Sequence, residues 1–126
     1  MKQYIYLYLL FLCTVVQAQI QVLPSNRKVN DMVYSPVSNK IYAIVSDNEQ
    51  QYPKALLLIN PLNNLVETSF DLGSKPKRMA ISDDYKYIYI GFSDSPKVTR
   101  FVTDLLLFDQ EFNLGFDQYD NPFYAN

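Results

Sequence analysis

The chain of 126 residues contains no histidine and no tryptophan, three glycines and a single cysteine. Without histidine it cannot build a histidine-based catalytic triad, a histidine-ligated metal site or an imidazole general base. The three glycines form no phosphate-binding loop. The net charge of -2 gives no basic field for a phosphate backbone, so nucleic acid is not expected as a partner. The composition therefore predicts no catalytic residue, no metal and no cofactor.

The chain is rich in tyrosine and phenylalanine. It carries 11 Tyr and 8 Phe, within a hydrophobic content of 48%. Aromatic side chains favour pleated, half-buried surfaces, and the length suits a single domain with a packed core. We therefore expect an all-β protein.

An uncharged apolar run, YIYLYLLFLCTVV, lies near the N-terminus and is followed by QAQ. Val16 and Ala18 supply the small side chains that a signal peptidase needs, which predicts a signal peptide over residues 1–18. One alternative is a membrane anchor, although the run is shorter than the roughly 20 residues that a spanning helix needs. The other is lipid attachment at Cys13, which would need smaller residues before it.

Cleavage before Gln19 would remove the only cysteine of the chain. An exported protein without disulfides is typical of a bacterial periplasm or cell surface, or of secretion by a bacterium, rather than of a disulfide-stapled secreted domain. We expect this localisation, with no membrane attachment after cleavage.

Two phrases of the sequence recur. MVYSPVSNKIYAIV begins at Met32, and MAISDDYKYIYIGF begins 47 residues later, at Met79; FDLG begins at Phe70 and returns as FNLG 42 residues later, at Phe112. Repeats of this length with short β elements are typical of propeller blades, which have four antiparallel strands each. The strands predicted for the first unit are 30–34, 41–46, 55–60 and 65–70.

The repeats resemble a known family. KIY at 40–42 and YIY at 87–89 resemble the second-strand signature of YVTN-type β-propeller repeats, and LLLINPLNNLVETSFDLGSKPKRMAIS resembles the third strand, turn, fourth strand, linker and next first strand of that family. The resemblance implies a WD-repeat-like or quinoprotein amine dehydrogenase-like propeller. The implied segments after the signal peptide are a lead-in (19–28), blade 1 (29–73), blade 2 (74–115) and the start of a linker to another blade (116–126).

Two blades are too few for a ring, since propellers close with roughly four to eight. We therefore expect an incomplete propeller, the N-terminal piece of a longer protein whose chain holds the remaining blades. The alternative is that several short chains assemble one ring.

By resemblance, function belongs to the loops that join second to third strands and fourth to next first strands. These loops are Asp47–Lys54, Gly73–Lys77 and Asp94–Lys97. The residues predicted to contact a partner are Asp47, Tyr52, Lys75, Lys77 and Asp94. For the recurring aspartates the alternative is a structural role at a strand end, and for the basic residues near Pro76 it is a solvated loop that protects a sheet edge.

Two further groups have a functional and a structural interpretation. Asp83 and Asp84 could bind Ca²⁺ or act as an acid/base pair, but their position predicts an exposed turn. Tyr42, Tyr87 and Tyr89 could stack on carbohydrate, but residues that alternate along a strand share one face, which favours packing between blades.

The function expected from the sequence is that of an exported, non-enzymatic β-propeller module that serves as a binding or surface scaffold for protein or glycan. The alternative is the N-terminal part of a propeller enzyme, lactonase-like or quinoprotein dehydrogenase-like, with its catalytic residues in other blades.

Overall fold

A computed structural model describes residues 27–125, so the predicted signal peptide lies outside the described residues. The described chain is all-β and forms two four-stranded antiparallel sheets, each with its strands in sequence order. The first sheet comprises β1 (Val29–Ser35), β2 (Lys40–Val45), β3 (Ala55–Asn60) and β4 (Leu65–Asp71). The second comprises β5 (Pro76–Ile81), β6 (Tyr87–Phe92), β7 (Lys97–Val102) and β8 (Leu107–Asn113). Within residues 27–125, no helix has the length and apolar character needed to cross a bilayer.

The strands of the first unit agree with the sequence prediction to within one residue. The middle strands β2 and β3, with sequences KIYAIV and ALLLIN, are almost entirely buried, and their side chains belong to one apolar cluster on each face of the sheet. The edge strand β1 alternates between partly buried and exposed positions, whereas β4 is mostly exposed, with Val66 and Phe70 partly buried. The predicted hairpin between β3 and β4 is present, and Asn64 adopts the left-handed conformation expected of a turn asparagine, with φ 57°.

The first strand of the second unit begins before the repeated phrase. The phrase starts at Met79, whereas β5 starts at Pro76 and passes through a bulge between Pro76 and Arg78. Proline is tolerated as the first residue of a strand because its missing N–H is not needed there. Lys77, which we assigned to a loop, consequently lies in a strand.

The strands of the two units are separated by the same offsets in sequence as the repeated phrases. β1 and β2 recur 47 residues later as β5 and β6, while β3 and β4 recur 42 residues later as β7 and β8. The bulges recur at the same offsets, and so do the positive-φ residues that follow the third and fourth strands, Asn64 with Leu106 and Gly73 with Gly115. The five-residue difference lies wholly in the loop between the second and third strands.

A hydrophobic core joins the two sheets. Tyr42, Ile44 and Leu56 of the first sheet pack in one buried cluster with Ile88 and Phe101 of the second, among others. The sheets approach each other most closely between β1 and β5. The prediction that Tyr42 packs between the units is confirmed, since the residue is 1% exposed and its ring lies 6.2 Å from that of Phe101 in the second sheet.

Side chains of β1 also bond to the backbone of β5. Asn30 Nδ2 donates to the Pro76 carbonyl at 2.7 Å, and Asp31 Oδ2 accepts the Met79 N–H at 3.0 Å. The second carboxylate oxygen of Asp31 accepts the Met32 N–H at 2.9 Å. Polar groups at the edge of β5 are thereby satisfied by the neighbouring unit, which fixes the position of one sheet against the other.

Candidate functional site

One end of the two sheets carries three loops, which we call the loop end: residues 46–54, 72–75 and 93–96. These segments follow the second strand of each unit or link the two units. Their backbone repeats the same contact in both units, because the Ser46 N–H donates to the Lys28 carbonyl and the Ser93 N–H to the Lys75 carbonyl, at 3.4 and 3.0 Å. The predicted functional loops therefore lie at the same end of the fold.

Asp47, Lys75 and Asp94 meet at the loop end. Lys75 Nζ pairs with Asp47 Oδ2 at 2.9 Å, and the Lys75 backbone N–H donates to Asp94 Oδ1 at 2.8 Å. The two aspartates occupy equivalent places in the two units, and both contact the residue that precedes β5. One lysine thus ties the loop of the first unit to the loop of the second.

Hydrogen bonding shifts the charge equilibria of this group. The contact with Lys75, followed by a hydrogen bond from the Ser46 hydroxyl, holds the pKa of Asp47 below its ordinary value, and the Asp47 carboxylate raises the pKa of Lys75. Both side chains therefore stay charged at neutral pH. Because their polar atoms are exposed to water, the pair orients the loops more than it stabilises the fold.

Tyr52 and Lys77 do not join this group. Tyr52 is partly buried and packs against a second apolar cluster of the first sheet, which includes Ala43, Val45 and Leu57. Its hydroxyl accepts a hydrogen bond from Gln51 Nε2 at 3.2 Å. Lys77 is exposed on β5, beside a shallow depression that Asn30 and Arg78 also line. The structure thus places three of the five predicted contact residues together.

A second polar feature lies at the loop end and was not among the sites predicted from the sequence. Lys28, Asn48, Glu49 and Gln50 line a shallow depression, and Glu49 accepts the Lys28 backbone N–H at 3.1 Å. Lys28 lies before the first strand, so only the fold brings it to the loop. The equivalence of Lys28 with Lys75, 47 residues apart, was the one available signal.

Asp83 and Asp84 lie in the turn between β5 and β6, as expected. Asp84 accepts hydrogen bonds from the Ser82 hydroxyl at 2.6 Å and the Lys86 N–H at 3.1 Å, and these bonds lower its pKa. This is a side-chain-bonded turn of the kind aspartate favours. Among the described residues, no group of three or more acidic, cysteine or histidine side chains is arranged to hold a metal ion.

The tyrosines of the second unit are engaged with their own sheet. Tyr87 and Tyr89 share the outer face, where the Arg100 guanidinium lies 4.5 Å from the centre of the Tyr87 ring. Tyr89 packs beside Phe112, with 6.5 Å between ring centroids. Neither ring lies at the loop end, so the carbohydrate platform considered from the sequence is not assembled there.

Comparison with known proteins identified no matching family model and no matching curated protein. The resemblance to YVTN-type repeats therefore stays a prediction, and the case for function depends on the internal geometry.

Proposed function

We propose that the protein is an exported, non-enzymatic binding scaffold whose units are β-propeller blades and whose partner binds at the loop end. The observation that carries the proposal is that Lys75 forms an ion pair with Asp47 and a backbone hydrogen bond with Asp94. These contacts hold loops of the two units together as one surface. Binding residues commonly lie on loops that a rigid scaffold holds in place.

Three features of the fold support propeller blades. Each unit is a four-stranded antiparallel meander, the two units repeat in sequence and geometry, and they pack face to face with their first strands closest together. A propeller arranges such sheets radially around an axis lined by the first strands. The interface between the sheets uses one face of the first unit and the opposite, non-equivalent face of the second. Such an interface is head-to-tail, which is the kind that a ring of repeats requires.

A protein partner fits the loop end better than a glycan does. The aromatic residue of the long loop, Tyr52, is packed against the first sheet, which leaves its ring little free surface for stacking on a sugar. The accessible groups are instead charged and amide side chains, among them Lys28, Glu49 and Gln50. Such a polar surface selects a partner by charge complementarity and hydrogen bonds.

The test is a screen of the purified protein against a phage-displayed peptide library and a glycan array. We expect peptides to be selected and the array to give no binding. Exchanging the charges of the loop-end pair, Asp47→Lys with Lys75→Asp, should weaken peptide binding about tenfold or more, in line with charge pairs at interfaces.

The chain offers a matched control at the other end of the sheets. Lys40 pairs with Glu67, so the exchange Lys40→Glu with Glu67→Lys alters the same number of charges away from the loops. Equal losses in both double variants, or binding to the glycan array alone, would contradict the proposal. Export is tested separately by expressing the full chain in a bacterium and sequencing the secreted or periplasmic product, which should begin at Gln19.

A further inference from the structure

The outer face of the second sheet corresponds to the inter-sheet face of the first. At the offsets of 47 and 42, the residues through which the first sheet contacts the second map onto residues that point away from the first sheet. The equivalent pairs are Tyr42 with Tyr89, Ile44 with Gly91, Leu56 with Val98, Leu58 with Arg100 and Phe70 with Phe112. The fold therefore presents the same type of packing face twice, and within residues 27–125 only the first copy is covered by a sheet.

A segment of the chain itself lies on this outer face. A Cβ atom built on Gly91 would clash with Ala125 Cβ and stand 3.1 Å from the Ala125 carbonyl oxygen, so Ala125 fills the space where a side chain would be. The backbone of Gly91 does not adopt a positive φ. Glycine is needed here for the close approach of Ala125 rather than for backbone conformation. The equivalent residue, Ile44, is fully buried in the inter-sheet core.

The C-terminal segment, residues 116–125, is folded to make this return. Phe116 pairs with Pro122 in an isolated bridge, and the Phe123 N–H donates to the Gly115 carbonyl at 3.1 Å. Asp117 Oδ1 accepts the backbone N–H groups of Tyr119 and Asn121, at 2.8 and 2.9 Å. A chain reversal held by these bonds brings Ala125 back to the sheet.

We propose that the C-terminal segment is an intramolecular cap, which docks at Gly91 and covers part of the face through which another sheet would otherwise pack. Ala125 lies beside a shallow depression lined by Arg78, Ala80, Tyr89 and Val98. A segment that covers an uncovered sheet face shields that face from self-association. This proposal does not rest on the proposed function, since it concerns a different surface from the loop end.

The contact between Gly91 and Ala125 can be tested from both sides. Gly91→Ala adds the clashing Cβ, which should undock the segment and speed chymotrypsin cleavage after Phe123 and Tyr124 about tenfold, because proteolysis follows the population of the open form. Adding Ala125→Gly removes the opposing Cβ and should restore slow cleavage. Cleavage at the wild-type rate in Gly91→Ala, or no recovery in the double variant, would overturn the cap.

Trypsin distinguishes undocking from unfolding. No lysine or arginine follows Arg100, so trypsin cannot cut the segment, and its rate reports on the sheets alone. We expect this rate to be unchanged in both variants. If Gly91→Ala raises the trypsin cleavage rate as much as the chymotrypsin rate, Ala125→Leu is the deciding variant, because it enlarges the side chain on the segment without altering the sheet. The proposal then requires that Ala125→Leu raise the chymotrypsin cleavage rate alone.

Discussion

Phe101→Ala measures how much the packing between the sheets contributes to stability. Phe101, in β7, is fully buried, and its ring centroid lies 4.9 Å from that of Phe70 and 6.2 Å from that of Tyr42. Both of those residues belong to the first sheet. Phe101 is therefore an aromatic side chain of the second sheet that packs against the first sheet, and its ring also lies 5.1 Å from that of Phe108.

The expected cost has two parts. Removing the ring loses the transfer free energy of a buried phenylalanine, about 2 to 3 kcal/mol, and leaves a cavity between the sheets. Together these typically cost about 3 to 5 kcal/mol. With a urea m-value of about 2 kcal/mol per M, typical of a domain of this size, the unfolding midpoint should fall by about 2 M.

Phe112→Ala is the matched control, because Phe112 lies in the same sheet but on the outer face, where it is 41% exposed. It should cost about 1 kcal/mol or less, in the range of partly exposed positions. Urea unfolding is followed by far-ultraviolet circular dichroism and by tyrosine fluorescence, which no tryptophan obscures. Equal midpoint shifts in the two variants would refute the idea that Phe101 joins the sheets.

Three further perturbations follow from the structure. Asp31→Ala removes the acceptor of the Met79 and Met32 N–H groups and should cost about 1 to 3 kcal/mol in urea unfolding, with Asp31→Asn losing less. Burial raises the pKa of Tyr42 in the folded state, so the stability that depends on its neutral hydroxyl is fully present below about pH 10 and is lost as the pH rises through the pKa of the folded state. In Tyr42→Phe the free energy of unfolding should therefore depend less on pH in the alkaline range. A hydrogen bond from Arg100 lowers the pKa of Asp109, so the stability that this ion pair contributes is present above about pH 4 and is lost as the pH falls through the pKa of the folded state. The melting temperature of Arg100→Gln should therefore depend less on pH between about 5 and 3 than that of the wild type.

Local patterns were sufficient to predict the strands. Runs such as ALLLIN and LVETSF, separated by PLNN, specify a hairpin by their side chains and turn residues alone, and the observed β3 and β4 match the prediction. The start of β5 was less predictable, because a proline and two basic residues do not resemble a strand. Its pairing with β6 and its bonds from Asn30 and Asp31 come from residues distant in sequence.

The candidate site could be predicted only in part, for the same reason. Recurrence singled out Asp47 and Asp94, but nothing local indicates that both would meet Lys75. Tyr52 looked available in a polar loop, yet the apolar cluster of the first sheet holds it. Sequence reasoning located the loops that matter, whereas the partners of individual side chains depended on how the units pack.

The differences between the two units carry more information about assembly than their similarities do. A head-to-tail interface propagates along a repeat array until a ring closes or a terminal element intervenes. The second unit departs from the first at residues that would repeat the interface: Gly91 stands at the place of Ile44, Arg100 at that of Leu58 and Arg78 at that of Asp31. Arg78 cannot accept a backbone N–H as Asp31 does, because a guanidinium has only donors. The outer face of the second sheet would therefore require a partner edge that offers acceptors, so it cannot bind another copy of β5 in the way that β1 does.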